Sequence, residues 1–342
     1  MTADKARNFD IYGKPNIEKT IAEIMADRAT VAHNSKSLAA RIRKEARTIQ
    51  EAFMIDGDQC LFDTMKLTNQ LDWLSYHKDM VEKGNLVWED GHEYYREYVY
   101  PNGEIENKIG KLRWVPHPNG EYEKVVGWEP KEKNNVYIKN GYFVPNASYL
   151  IRIGCDPFKY DKTKDNRKSN CAAYAFQLED PMDDKNPYGE MFVMRYVGRP
   201  ATTDKQYNAV LKMGWYCGCQ ILFERNVDGA KKYFTVEKCA NFLMWLPSEV
   251  EFGVYTDGNG KAVQAICDLT ESYIDKNIEK VYFPELISME TGWLGFKVED
   301  TQKYDDVMGA GIAMIAAKNK KFSLPTNHKR DINSVMPYKK AI

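Results

Sequence analysis

Four acidic residues stand at places where a carboxylate is costly, and binding a hard metal ion is one chemistry that such placement serves. Asp156 closes the run "YLIRIGCDPF" (149–158). The run alternates like a buried strand: Tyr149, Ile151, Ile153 and Cys155 face one way, and Leu150, Arg152, Gly154 and Asp156 the other. Gly154 weakens a strand but leaves room beside Asp156. Glu224 ends the short apolar run "CQILFERN" in the same manner, and Asp305 and Asp306 open "DDVMGAGIAMIAA". A carboxylate on a sheet face costs free energy unless something compensates it. Converging carboxylates repel one another unless cations lie between them, and such oxygen donors suit Mg²⁺ or Mn²⁺. Two such ions about 4 Å apart form a clamp for in-line attack of water on a phosphodiester. Each acid also has a plainer use. Asp156 can start a turn with Pro157, Glu224 can pair with Arg225 or a nearby lysine, and Asp305 can cap the helix that follows.

The elements that must position these acids follow from periodicity. Strands at 149–155, "NCAAYAFQL" and "EMFVMRYVG" form a meander. A helix from Thr203, the strand "CQILFE", a helix over about 229–245, the strand "FGVYTD", a helix from about Lys261 to Ile274 and the last helix "DDVMGAGIAMIAA" come next. This order predicts an α/β domain with a mixed sheet flanked by helices. The carboxyl ends of neighbouring strands in such a sheet border a ligand crevice, and Asp156 and Glu224 both stand there. Gly309 and Gly311 inside the last helix cost roughly 1 kcal/mol each against alanine, a cost that close packing of helix on sheet explains. Asp305 directly precedes the expected first turn and reads as the N-cap. Asp306 shares a face with Ala310 and Ala313, so it is expected to project toward Asp156 and Glu224.

Upstream the pattern differs. After a flexible lead to about residue 13, apolar residues at helical spacing predict a helix over about 16–28. A second helix, capped by Asn34 or Ser35, carries Leu38, Ile42, Ala46 and Ile49. Its surface is basic (Lys36, Arg41, Arg43, Lys44, Arg47), which fits a solvated face or a DNA or ATP contact. Residues 88–146 are β-rich, and "PNG" at 101–103 and at 118–120 predicts two hairpins. The expected divisions are a helical region at 1–85, a β-rich bridging segment at 86–147, an α/β domain at 148–322 and a polar tail at 323–342. A hydrophobic share of 43%, with 22 tyrosines and 7 tryptophans, argues against disorder. A net charge of -1 confines any nucleic-acid surface to a local patch. Seven scattered cysteines and no signal peptide predict a reduced chain, and no apolar run is long enough to span a membrane. Cys217 and Cys219 read as core residues, because no second pair lies at zinc spacing.

Strand order and acids together resemble an RNase H-like nuclease. More narrowly, residues from about 143 to 317 are similar to the nuclease domain of the large terminase subunit of tailed bacteriophages. The motifs are "YLIRIGCDP", "ILFERNVDG", "GVYTDGNGK" and "QKYDDVMGAGIAMIAA", in that order. Upstream, "EARTIQEAFMIDGDQCLFD" resembles the close of that family's ATPase domain, and "GKLRWVPHPNGEYEKVVGWEP" its link into the nuclease. The resemblance implies a metal-dependent endonuclease that cuts concatemeric double-stranded DNA as viral genomes are packaged. The implied cofactors are two Mg²⁺ or Mn²⁺ ions, the implied partners are the portal ring and the small terminase subunit, and the implied place of action is the bacterial host's cytoplasm. Asp156, Glu224 and Asp306 would be catalytic metal ligands, with Asp305 as a further ligand. A later acid found in many relatives is replaced here by Gly309. Asp228 could stand in for it or could simply favour a helix N-terminus.

The loop "FKYDKTKDNRKSN" beside Asp156 carries Lys159, Lys162, Lys164, Arg167 and Lys168, which fit either a solvated hairpin or a DNA contact that neutralises phosphates. Lys261, at a helix start, is another candidate phosphate contact. No G-x-x-x-x-G-K-[ST] loop occurs, and "DGNGKAV" lacks both the spacing and the hydroxyl, since Ala262 follows the lysine. A complete ATPase site is therefore not expected, and the chain is expected to be a shortened protein or one piece of a split gene. Two other functions fit the sequence: an RNase H-like resolvase unrelated to packaging, and a non-catalytic module that docks DNA or a portal ring.

Overall fold

The computed structural model describes residues 8–9, 12–47, 60–91, 93–99, 101–146, 150–158, 169–225, 229–247, 249–256 and 260–319. Asn16 and Asn34 cap the first two helices, α1 (Ile17–Thr30) and α2 (Ser35–Lys44), by accepting from the backbone N–H of Lys19 and Ser37. α2 ends at Lys44, short of the expected run to Ile49, which lies outside the described residues. Asp63 caps α3 (Thr64–Tyr76) in the same way.

Strands follow at β1 (Val81–Trp88), β2 (Tyr95–Val99), β3 (Ile105–Ile109), β4 (Leu112–Pro116), β5 (Tyr122–Val125), β6 (Val136–Lys139), β7 (Tyr142–Pro145), β8 (Ile151–Asp156), β9 (Cys171–Gln177) and β10 (Met191–Gly198). Then come α4 (Thr203–Cys217), β11 (Ile221–Phe223), α5 (Ala230–Val236), α6 (Lys261–Asn277), α7 (Pro284–Ile287) and α8 (Asp305–Lys318). Seven strands form one sheet in the order β11-β8-β9-β10-β5-β1-β4. Only the β11–β8 pair is parallel. The fold is thus a mixed α/β arrangement whose sheet is mostly antiparallel and flanked by helices. Strands from 81–125 continue the sheet formed by residues 151–223 without a break.

Several expected elements take a different form. The first "PNG" makes a hairpin between β2 and β3. The second does not, because β4 and β5 both pair with β1 and lie on opposite sides of it. The connection crosses β1 at Gly84, where a side chain on Gly120 would overlap the Gly84 backbone. The helix expected over 229–245 stops at Val236: the chain turns through Lys238 (φ 57), and Cys239 N–H bonds back to Phe234 O. Beyond it Met244 N–H bonds to Ile221 O, so the apolar residues that suggested more helix lie along the edge of the sheet beside β11. "FGVYTD" likewise contributes two isolated bridges, Val254 with Glu224 and Phe252 with Trp245, in place of a full strand. No described helix is long and apolar enough to cross a membrane.

The last helix sets the architecture of the site. α8 is buried along nearly its whole length, and it presses on β8 where a side chain at Gly154 would collide with the backbone of Ile312 and Ala313. The room expected beside Asp156 at Gly154 is therefore filled by helix backbone. Gly309 makes the matching approach to β9, where an added Cβ would lie 2.6 Å from Ala172 O. Gly311 faces away from the sheet and lets Ile266 of α6 pack against the helix. Gly154→Ala should therefore lower stability by about 3 kcal/mol or more, since neither backbone can yield without moving the helix. An unchanged urea midpoint for this variant would show that the helix does not lie so close.

Candidate functional site

Asp156 and Glu224 are brought together by strand register. β8 and β11 run parallel with Ile153 opposite Ile221 and Cys155 opposite Phe223. Glu224 N–H then bonds to Cys155 O at 2.8 Å, which sets the two acids side by side at the carboxyl ends of adjacent strands. Their side chains share a hydrogen bond. Burial, then the charge of Glu224 and that hydrogen bond, and then Asp305 push the Asp156 carboxyl well above its usual range. Glu224 also accepts a hydrogen bond from the Thr256 hydroxyl, which the bridge between Val254 and Glu224 brings alongside.

The first turn of α8 supplies the third carboxylate. Tyr304 has the non-helical backbone of the N-cap, so Asp305 and Asp306 are the first two helical residues. Both are buried, but they serve different surroundings. Asp305 Oδ2 accepts from the backbone N–H of Asn170 at 2.7 Å, over the start of β9. Burial raises its pKa to about 7; Asp306 and Glu224 add to the rise, and the Asn170 bond and the Arg199 guanidinium oppose it. Asp306 turns instead toward the middle of the sheet. There it accepts from the Tyr174 hydroxyl and pairs with Arg195 Nη1 at 3.3 Å. Arg195 also bonds Glu123 at 2.6 Å and Glu285 at 2.9 Å, and Lys83 reaches Glu123 at 3.1 Å. Gly154, Tyr174, Arg195, Glu123 and Lys83 are successive cross-strand partners, so this network is a row on one sheet face beneath α8.

The structure thus differs from the expected placement in one respect. Asp306 does project onto the sheet, but over Tyr174 and Arg195 rather than toward Asp156 and Glu224. Asp305, expected as the N-cap, is the acid whose charge acts together with theirs. Successive helical residues point about 100 degrees apart, so a helix that sets Asp306 over Tyr174 and Arg195 turns Asp305 toward a different neighbour.

The other candidates are placed as follows. Lys261 is exposed at the first position of α6. Lys159, Lys162, Lys164, Arg167, Lys168 and Asp228 lie outside the described residues. Cys217 and Cys219 are buried core residues, and all seven cysteines are free thiols. Sequence reasoning passed over Tyr174, Arg195, Arg199 and Thr256. Arg195 did carry a signal: a charged residue inside the apolar strand "EMFVMRYVG" needs a buried partner.

Among the described residues, no three His, Cys, Asp or Glu side chains are arranged so that they could hold a metal ion. Glu224 is engaged with Asp156 and Thr256, and Asp305 with Asn170. The fit to a hard cation is one of donor chemistry: three mutually repelling carboxylates, Asp305 buried and Asp156 and Glu224 half-buried, with Asp156 and Asp305 driven toward the neutral form. No family model matches the chain, and no curated protein sequence matches it.

Two predictions follow from the electrostatics. An aspartate in the unfolded chain titrates near 3.8, whereas Asp305 in the folded chain titrates near 7. Between these values the folded state holds a proton that the unfolded state has released, so stability falls as pH rises across that window. One such group contributes at most about 1.4 kcal/mol per pH unit. Asp305→Asn should flatten this slope and raise the denaturation midpoint at pH 8 in the absence of metal, and an unchanged slope would contradict the shift. Asp306→Ala should act in the opposite direction, lowering stability by about 3 kcal/mol because it breaks a buried ion pair. Equal midpoints for Asp306→Ala and the unaltered protein would remove Asp306 from the network.

Proposed function

We propose that this chain is a metal-dependent endonuclease with an RNase H-like sheet, of the large terminase type, which hydrolyses phosphodiesters in double-stranded DNA. The observation that carries the reading is that Asp156 and Glu224 lie side by side at the ends of two parallel neighbouring strands, and that Asp305, in the first turn of a helix packed backbone-close on the sheet, acts on both through its charge. The strand order supports it: three antiparallel strands, with the next strand returning through a helix to lie parallel beside the first. The motif series of the large terminase subunit runs along the same elements.

In this reading Asp156, Glu224 and Asp305 hold divalent cations, and Asp306 holds the helix that carries Asp305. When bound, Mg²⁺ or Mn²⁺ would make a nucleophile of water at neutral pH and offset the charge that builds on the phosphate. The protein's own groups prepare the site. Tyr174 and Arg195 fix Asp306, and thereby the first turn of α8. Thr256 orients Glu224. Asp305 holds a proton near neutral pH and must release it for its oxygens to act as ligands. By the same reading the substrate is concatemeric viral DNA, the partners are the portal ring and the small terminase subunit, and the place of action is the bacterial cytoplasm.

Plasmid nicking tests the reading. The protein should nick supercoiled DNA in Mn²⁺ or Mg²⁺ without ATP, and excess chelator should stop it. Asp156→Asn, Glu224→Gln and Asp305→Asn should each abolish nicking while the fold is retained. Cleavage that persists in chelator would end the metal mechanism. Duplex binding with no cleavage under any divalent cation would favour a docking module.

A further inference from the structure

Arg199, just past the end of β10, stands beside the carboxylates and has no role in the account so far. Its guanidinium lies 4.7 Å over the Phe158 ring and donates through Nη1 to Ser169 O. Both contacts tie it to the acids. Phe158 is two residues past Asp156, and Ser169 precedes Asn170, whose N–H holds Asp305. The Phe158 platform is itself rigid. Its ring is buried, and the fully buried Gln206 of α4 accepts from Phe158 N–H at 3.1 Å and donates to Phe158 O at 3.2 Å. Arg199 is half-buried, and its positive charge opposes the rise in the Asp305 pKa, so it acts electrostatically on the acid cluster. Among the described residues, the Ser169 carbonyl is the one hydrogen-bond acceptor it meets.

A guanidinium with spare donors, seated over an aromatic ring at the rim of an acid cluster, has the geometry that recognises phosphate. The fork can give two parallel N–H bonds to phosphate oxygens, and the stacking lowers the entropy lost in making them. A second consideration is charge. Carboxylates alone repel a phosphodiester, and a fixed cation at their edge gives the incoming phosphate a place to dock.

We propose that Arg199 is a phosphate-binding residue of this site, anchored by Phe158 and Ser169 so that its remaining N–H donors meet a DNA phosphate beside the carboxylates. The inference rests on the nuclease reading above, and its test separates the two. Duplex binding is measured by fluorescence anisotropy in Ca²⁺ over a range of salt, and nicking is measured in Mn²⁺, for the unaltered protein, Arg199→Ala, Arg199→Gln and Arg199→Lys. Thermal melting identifies the variants that fold. Arg199→Ala and Arg199→Gln should reduce the slope of log affinity against log salt by about one unit. They should also lower kcat by roughly 10²-fold, as loss of one donor to a developing charge does. Arg199→Lys should keep the salt slope, because the charge remains, and still lose kcat, because the planar fork is gone. Folded Ala or Gln variants with unchanged slope and kcat would overturn the proposal and leave Arg199 as a clasp between Phe158 and Ser169. If the unaltered protein neither binds nor nicks DNA, the nuclease reading falls, and this inference falls with it.

Discussion

The contact between α8 and the sheet at Gly154 and Gly309 is the constraint on which the site depends. A helix cannot normally approach a strand so closely, because the side chains of both intervene. Here the strand has no side chain at Gly154, and the helix has none at Gly309 where it meets Ala172. The approach carries the first turn of α8 down to the level of the strand ends. Asp305 then meets the charges of Asp156 and Glu224, while Asp306 reaches Tyr174 and Arg195. Both acids are buried for the same reason, and both need compensation. Asp306 finds it in a guanidinium. Asp305 has one backbone N–H and a more distant arginine, and its pKa rises.

This division of labour gives the site its character. One row of the sheet is electrically satisfied: Lys83, Glu123, Arg195 and Asp306 alternate in sign across the strands, and Glu285 adds a further contact to Arg195. Such a row holds geometry more than it adds stability, since desolvation offsets much of the Coulomb attraction. Two residues farther along β8, the acids have no such balance. Asp156, Glu224 and Asp305 repel one another, and the pKa values of Asp156 and Asp305 rise. The neighbouring clusters are thus an ion-paired network and a group of carboxylates that repel one another. The difference is that Arg195 pairs directly with Asp306, whereas Arg199 acts on Asp305 only through its charge.

Much of this was legible in the sequence, and the parts that were not have physical reasons. The β8–β9–β10 meander, the return through α4 to β11 and the last helix all follow from periodicity, because their apolar residues face a common core. Asp156 and Glu224 stood out because each acid closes an apolar strand. The glycines of the last helix correctly pointed to close packing. The choice between Asp305 and Asp306 was not legible, since it depends on where the helix lies over the sheet, which its contacts with residues distant in sequence, Gly154 and Ala172, decide. The connection through Gly120 also misled: "PNG" fits a tight hairpin, yet here it crosses over β1, because β4 and β5 pair with opposite sides of that strand. Residues 238–245 were read as helix because a buried edge segment and a helix can show the same apolar residues.

The central claim is that Asp156, Glu224 and Asp305 form one cation site whose protons are displaced by metal. Calorimetric titration of Mn²⁺ into the metal-free protein, in buffers of different ionisation enthalpy, tests it most directly. The account predicts saturable binding with net proton release at pH 6 that diminishes toward pH 8, since Asp305 has its pKa at about 7. Asp305→Asn should weaken binding and remove the part of the proton release that fades between pH 6 and pH 8, while a folded Asp306→Asn should retain both. Binding that is indifferent to Asp305, or that releases no protons at pH 6, would contradict the account.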